Sequence, residues 1–305
     1  MTFLTNPIDW WIDPFTANEF MRNALWAGLL AVLATSVVGT WVVLRGMSFL
    51  GDALAHGVLP GIAIAFVVGG NLTVGALVAA LAMVAGINVI RTYSPLPDDT
   101  AIGVLFVGFL ALAVVIMSSQ SGSYTGDLNR FLFGSITGVD DTDLIRQAIA
   151  AAISIGGVTV FYRAFLVMTF DETLARLLGL HPRLAHAVLL ALLAVSIVAS
   201  FEAVGNLLVF AFLIAPPATA TLLVRRVPLI MVTASGLGAL AVVAGLLVSY
   251  HHDTAAGATM ALAAVTIFLL ALCGHAVGAA HQRRTGSLAD PDPVPHTDTS
   301  PHSAR

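Results

Sequence analysis

Lysine is absent from these 305 residues; all 13 basic side chains are arginine. A phosphate-binding loop of the Walker A type needs a lysine after its glycines. The chain therefore cannot carry one, and any nucleotide hydrolysis linked to it belongs to another polypeptide. Charge of either sign is scarce: 10% of residues are charged, against roughly 25% in soluble domains. No basic cluster exceeds a few residues, which argues against a nucleic-acid-binding surface. Cys273 is the single cysteine, so no intrachain disulfide can form. Lying in an apolar run, it reads as a small buried core residue. Neither G-x-S-x-G nor H-E-x-x-H occurs, which disfavours an intramembrane enzyme. The opening MTFLTNPIDWWIDPF has no basic n-region and no small-residue cleavage site, unlike a cleavable signal peptide.

What fills the chain instead is apolar: 58% of residues are hydrophobic and mean hydropathy is +0.94. Nine apolar segments stand out, near 21–44, 49–69, 72–91, 98–118, 144–161, 184–203, 205–224, 228–249 and 254–279. Crossing a bilayer takes roughly 18 to 20 apolar residues, so the chain reads as an all-α, polytopic membrane protein. The sixth and seventh segments are separated only by FEAVGN, and eight spans result if either is partial. Residues 1–20 read as an outer interfacial segment, with Trp10, Trp11 and Phe15 suited to the headgroup zone. Residues 21–280 form the transmembrane domain. Residues 281–305, rich in Pro, Ser, Thr and Asp, read as a disordered tail. Its His281, His296 and His302 read as solvated rather than as metal ligands.

Arginine placement predicts orientation. With the 162–183 loop in the cytoplasm, Arg45, Arg91, Arg163, Arg176, Arg183, Arg225, Arg226, Arg283, Arg284 and Arg305 face in. Only Arg22, Arg130 and Arg146 face out. The C-terminus is then cytoplasmic and the N-terminus outside, in a plasma-membrane protein.

SFLGDALAHGVLPG, residues 48 to 61, places Asp52 and His56 inside the second segment. An ionisable residue at mid-membrane costs at least about 2.5 to 3.5 kcal/mol on insertion scales and usually faces a cavity or a partner. The i, i+4 spacing puts both on one helix face. Carboxylate plus imidazole suits Mn²⁺, Fe²⁺ or Zn²⁺ better than Ca²⁺ or Cu(I). Two ligands are too few for such an ion, but two chains facing each other across a pore would double the set. Pro60 and Gly61 are expected to interrupt the helix and free carbonyls toward a cavity. The bland alternative is an Asp–His hydrogen bond bracing two helices. A third reading makes the pair the proton relay of a secondary metal transporter.

In YRAFLVMTFDETLARLLGLHPR, Thr169 and Glu172 have capping-box spacing. Gly179 suits the C′ position and Pro182 follows. A short helix over about 170–178 is expected. Leu174, Leu177 and Leu178 would form its apolar stripe against Asp171, Glu172 and Arg176, with Ala175 among them. Such a helix either docks a soluble partner or lies on the bilayer. Pro216 and Pro217 are expected to kink or unwind the seventh segment. His251, His252 and Asp253 fall in an expected outer loop and are weak candidates to meet a cation, because adjacent residues rarely aim at one ion. Asp98 and Asp99 read as an N-cap, and Glu202 as a solvated turn residue. His181, His186 and His275 are isolated.

Four blocks, VLRGMSFLGDALAHGVLPGIAIAF, FLFGSITGV, FDETLARLLGL and VGNLLVFAFLIAPPATA, occur in that order. Together they resemble the permease subunit of manganese/zinc-type ABC importers, over roughly residues 20 to 280. The resemblance implies a cobalamin-importer-like fold and a second permease copy, identical or paralogous. It also implies a cytoplasmic ATPase dimer and an extracytoplasmic metal-binding lipoprotein. It assigns Asp52 and His56 to the metal path, and the region from Asp171 to Gly179 to the ATPase-contacting helix. Mn²⁺ or Zn²⁺, with Fe²⁺ as a further option, is cargo rather than a stably bound cofactor. VGNLLV resembles the manganese members. His251 and His252 depart from the family's His-poor pattern at that point.

Overall fold

The computed structural model describes residues 7–94, 97–118 and 138–286. The block FLFGSITGV, all but its last two residues, and the positions Arg130, His296 and His302 lie outside them, as does most of the expected tail. Within the described residues the secondary structure is helical. Helix α1 spans Pro7–Ala17 and α2 spans Glu19–Leu44. The second apolar segment is split into α3, Ser48–Gly57, and α4, Leu59–Val67. Then come α5 (Leu72–Tyr93), α6 (Asp98–Ser118), α7 (Asp141–Phe170), α8 (Glu172–Leu177), α9 (Pro182–Val204), α10 (Asn206–Leu223), α11 (Val227–His252) and α12 (Ala256–Gly286).

Counting α3 and α4 as one, nine of these units among the described residues are long and apolar enough to cross a membrane. FEAVGN does separate two full spans: α9 ends at Val204, Gly205 forms the joint, and α10 starts at Asn206. Two boundaries differ from the sequence reading. Helix α7 is 30 residues long, about 45 Å at 1.5 Å per residue, so it projects beyond a hydrocarbon layer of about 30 Å. Residues 162–170, read as loop, are its projecting end. Helix α12 likewise continues to Gly286. Apolar composition marks only the lipid-embedded part of a helix, whereas backbone hydrogen bonding carries the helix on into water.

At the centre lies α2, packed against α7, α9, α10 and α11. Its buried side chains are mostly small, including Ala24, Ala27, Ala31 and Ala34, which lets neighbouring backbones approach. Toward its far end the larger Trp41 is fully buried, edge-on to Tyr162 and Phe165 at 5.6 Å. Two buried hydroxyls pair across the bundle: Ser154 on α7 and Ser196 on α9 lie 2.7 Å apart, and Ser196 donates to the Leu192 carbonyl.

Pro216 and Pro217 do not unwind their span. Helix α10 runs through both, and both are buried. Each removes one donor, to the Phe212 and Leu213 carbonyls, and packing compensates. Gly39 of α2 lies against the Leu213 carbonyl so closely that a Cβ there would overlap it, the setting for a Cα–H···O contact. Cys273 is exposed in the single chain rather than buried. In a membrane protein, apolar composition does not separate core from lipid-facing surface.

Candidate functional site

Helix α3 begins at Ser48, which sets Asp52 and His56 about 6 and 12 Å along it. The spacing puts them on one face, as expected: His56 Nε2 stands 3.6 Å from Asp52 Oδ1, too long for a good hydrogen bond. The side chains are 28% and 35% exposed, His56 and Asp52 respectively. The pair is accessible in the single chain rather than sealed inside it as a brace. The His56 ring meets Phe106 of α6 edge-on at 5.8 Å, and Phe106 meets Phe49 in the same way. Sequence reasoning missed this aromatic wall, because Phe106 sits in an unremarkable apolar run. Among the described residues no third His, Cys, Asp or Glu joins the pair as a potential metal site.

The interruption at Pro60 is minimal. Only Val58 separates α3 from α4, and its backbone angles, φ −77° and ψ −21°, are still helical. Pro60 lacks the donor that would reach the His56 carbonyl, which is enough to break the hydrogen-bond ladder without opening an unwound stretch. Gly61 has a packing role. A Cβ on it would overlap the Gly75 carbonyl of α5, and a Cβ on Gly75 would overlap the Gly61 carbonyl. Ala79 and Ala65, one turn on from each, complete two facing small-x-x-x-small pairs.

Helix α8 forms where a short punctuated helix was expected, with a different N-cap. Thr169 lies inside α7, and the cap is Asp171, whose carboxylate accepts from the Leu174 amide at 2.9 Å. The long helix α7 consumes the residues that a Thr169 capping box would have needed. The C-terminus ends as predicted. Gly179 takes φ +71°, and the Leu180 and Gly179 amides donate to the Ala175 and Arg176 carbonyls. This is the paired pattern of a Schellman stop, which needs a left-handed residue at that point. Ala175 alone is buried; Leu174, Leu177 and Leu178 are exposed, Leu177 by 80%. The apolar stripe therefore faces away from the bundle.

Glu172 ties α8 to a distant helix. Its Oε1 accepts from Arg176 at 3.0 Å and its Oε2 from Arg91, at the end of α5, at 3.3 Å. The Arg176 hydrogen bond, then the nearby Arg91, Arg176 and Arg45 charges, hold its pKa below the ordinary 4.5, against an opposing effect of burial. Beside this cluster His186 of α9 is 1% exposed, with no hydrogen-bond partner for Nδ1 among the described residues. The sequence reading left it isolated. Arg91 and His186 were not legible as site neighbours, because an arginine at the end of a span is ordinary.

The weaker candidates separate. His251 and His252 close α11 rather than sit in a loop, and Asp253 caps it at φ +51°. His251 Nδ1 lies 2.9 Å from the Leu247 carbonyl of its own helix, and its ring lies against Tyr250. A histidine folded back in this way suits a helix C-terminus. Asp98 is the first residue of α6, with the Pro97 carbonyl accepting the first backbone bonds. Glu202 lies in the last turn of α9, outside the described side chains.

Residues 17–275 match the ABC 3 transport family. The manganese transport system membrane protein MntC of Listeria monocytogenes is 38% identical over 253 residues, 83% of this chain and 90% of that protein. A probable iron transport system membrane protein of Haemophilus influenzae is 34% identical over 265 residues, 87% of this chain and 96% of that protein. Among solved structures, PsaBC from Streptococcus pneumoniae in complex with Fab superposes with a TM-score of 0.76 at 34% identity. That match covers 86% of this chain and 94% of the other.

Proposed function

The chain belongs to the ABC 3 transport family, and from that membership we propose that it is the membrane permease of an ATP-driven importer of divalent transition metals, manganese in preference to zinc. The observation that carries this reading is the partly exposed Asp52–His56 pair on a membrane span. Relatives are named for manganese and for iron transport, and a carboxylate with an imidazole suits both ions. Two donors from one chain leave an ion under-coordinated. The site is therefore completed by a second permease copy across a pore, giving two oxygens and two nitrogens, with water filling the rest. Coordination this sparse also allows release, which transport requires.

The partners are those that family membership implies. The chain has no lysine for a Walker A loop, so a separate ATPase dimer hydrolyses ATP and docks on the exposed leucines of α8. An extracytoplasmic metal-binding lipoprotein delivers the ion from the other face. The arginine count then sets the α8 end and the C-terminus in the cytoplasm and the N-terminus outside.

Uptake of radiolabelled Mn²⁺, Zn²⁺ and Fe²⁺ by the reconstituted complex tests the proposal. Asp52→Ala and His56→Ala should each abolish ATP-dependent uptake while the complex still assembles. Normal uptake in both variants refutes the site. Uptake driven by a proton gradient without ATP would instead support the proton-relay reading, which family membership disfavours.

A further inference from the structure

Resting on the reading of α8 as the ATPase-docking helix, we propose that Arg91 is a positioning residue for transport. Its pair with Glu172 passes displacement of α8 into α5, and through α5 to the span that holds Asp52 and His56.

The placement of the pair carries the argument. Helix α8 packs on α7 and α9. Across 81 positions of sequence, Arg91 Nη2 reaches Glu172 Oε2 at 3.3 Å and joins α8 to α5. The Arg91 and Glu172 side chains are 25% and 36% exposed, so solvent and salt screen this pair less than an open surface bridge. Glu172 is also set in place beforehand. Arg176, one turn along the same helix, holds Oε1 at 3.0 Å and leaves Oε2 aimed at Arg91. A carboxylate gripped from both sides moves with its helix instead of changing rotamer.

The other end of α5 is locked to the metal-bearing span. From Arg91 back to Gly75 is 16 residues, about 24 Å of helix. There Gly75 and Gly61 interlock, each backbone filling the place of the other's missing Cβ. A helix seated this closely on α4 cannot slide past it gradually; tightly packed interfaces shift between discrete arrangements. Pro60 has already broken the ladder between α4 and α3, so movement of α4 is relayed to Asp52 and His56 at a joint rather than along a stiff rod. The chain of contacts runs from Glu172 to Arg91, along α5 to Gly75, across to Gly61, and on to His56.

The test uses the full importer in proteoliposomes, with Mn²⁺ uptake and ATP hydrolysis measured together. R91Q should retain ATP hydrolysis yet lower the Mn²⁺ moved per ATP by about tenfold, a typical size for coupling between sites; E172Q, on the docking helix itself, should lower the same ratio. R91K, which keeps the charge, should restore part of that ratio. The double variant should be no worse than either single one, because both remove the same link. Three results overturn the inference: a wild-type ratio in both singles, uptake and hydrolysis falling in parallel in R91Q as a merely structural defect would give, or additive losses. L177R separates this from the reading beneath it. If the ATPase still co-purifies with L177R, α8 is not the docking helix and both fall. If the ATPase is lost with L177R while R91Q and E172Q keep the wild-type ratio, only the coupling role of Arg91 falls.

Discussion

Gly61 and Gly75 occupy each other's side-chain space: a Cβ on either would overlap the other's carbonyl oxygen. The contact seats α4 on α5 and fixes where the Asp52–His56 span stands. Gly61→Leu or Gly75→Leu must push the helices apart, at a cost on the order of 2 kcal/mol. Both variants should lower the melting temperature in detergent and reduce uptake. Wild-type melting for both would show that the contact is not tight.

The start of α8 depends on Asp171 and not on Thr169. Asp171→Ala removes the cap on the Leu174 amide and should cost about 1 kcal/mol locally. Cross-linking or co-purification of the ATPase should weaken accordingly. Thr169→Ala lies within α7 and should leave ATPase binding unchanged. The reverse ranking would restore the capping box that the sequence spacing advertised.

The arginines around Glu172 make a prediction about acid. A carboxylate whose pKa is lowered on folding contributes stability above its unfolded value and loses it as pH falls through the folded value. For Glu172 the ordinary value is 4.5, and the shift is downward. The tie to Arg91 should therefore be complete at neutral pH and begin to weaken only below about pH 4.5. Infrared difference spectra against E172Q should show the carboxylate titrating below that value, and R91Q should raise the midpoint. A midpoint above the ordinary value would contradict the paired geometry.

His56 offers a test of ligand chemistry. Replacing its imidazole with a thiolate, in His56→Cys, favours softer ions. The ratio of Zn²⁺ to Mn²⁺ uptake should rise several-fold while Mn²⁺ uptake falls. An unchanged ratio would mean that position 56 does not meet the ion.

His251 and His252 close a helix, and His251 is turned onto its own Leu247 carbonyl. His251→Ala and His252→Ala should leave metal uptake unchanged in the reconstituted complex. A selective loss of uptake with intact protein levels would give these residues a role in capture.

Much of the candidate site's local geometry was legible as sequence because its signals are local. An i, i+4 pair shares a helix face whatever surrounds it, and a glycine followed by proline marks a helix stop, as Gly179 does. Local signals also misled. Thr169 and Glu172 have the right spacing for a cap, but α7 continues through Thr169 because its backbone bonds extend past the apolar stretch. Pro216 and Pro217 look like a break, yet α10 passes through them because Gly39 and other neighbours pack around the altered backbone. Cys273 reads as core by composition and is exposed, since lipid and protein interior select the same residues.

The sequence by itself determined that the chain crosses a membrane about nine times, that it cannot bind nucleotide through a Walker A loop, and that a carboxylate and an imidazole share one face of a span. These follow from run length, residue identity and helical period, none of which needs distant contacts. Only the tertiary structure decided that Gly61 locks onto Gly75, that Phe106 walls His56, and that Arg91 reaches Glu172 from 81 residues away. Those are choices of which helix lies beside which. Apolar helices of similar composition leave that choice to close packing, one side chain against another, which no periodicity encodes.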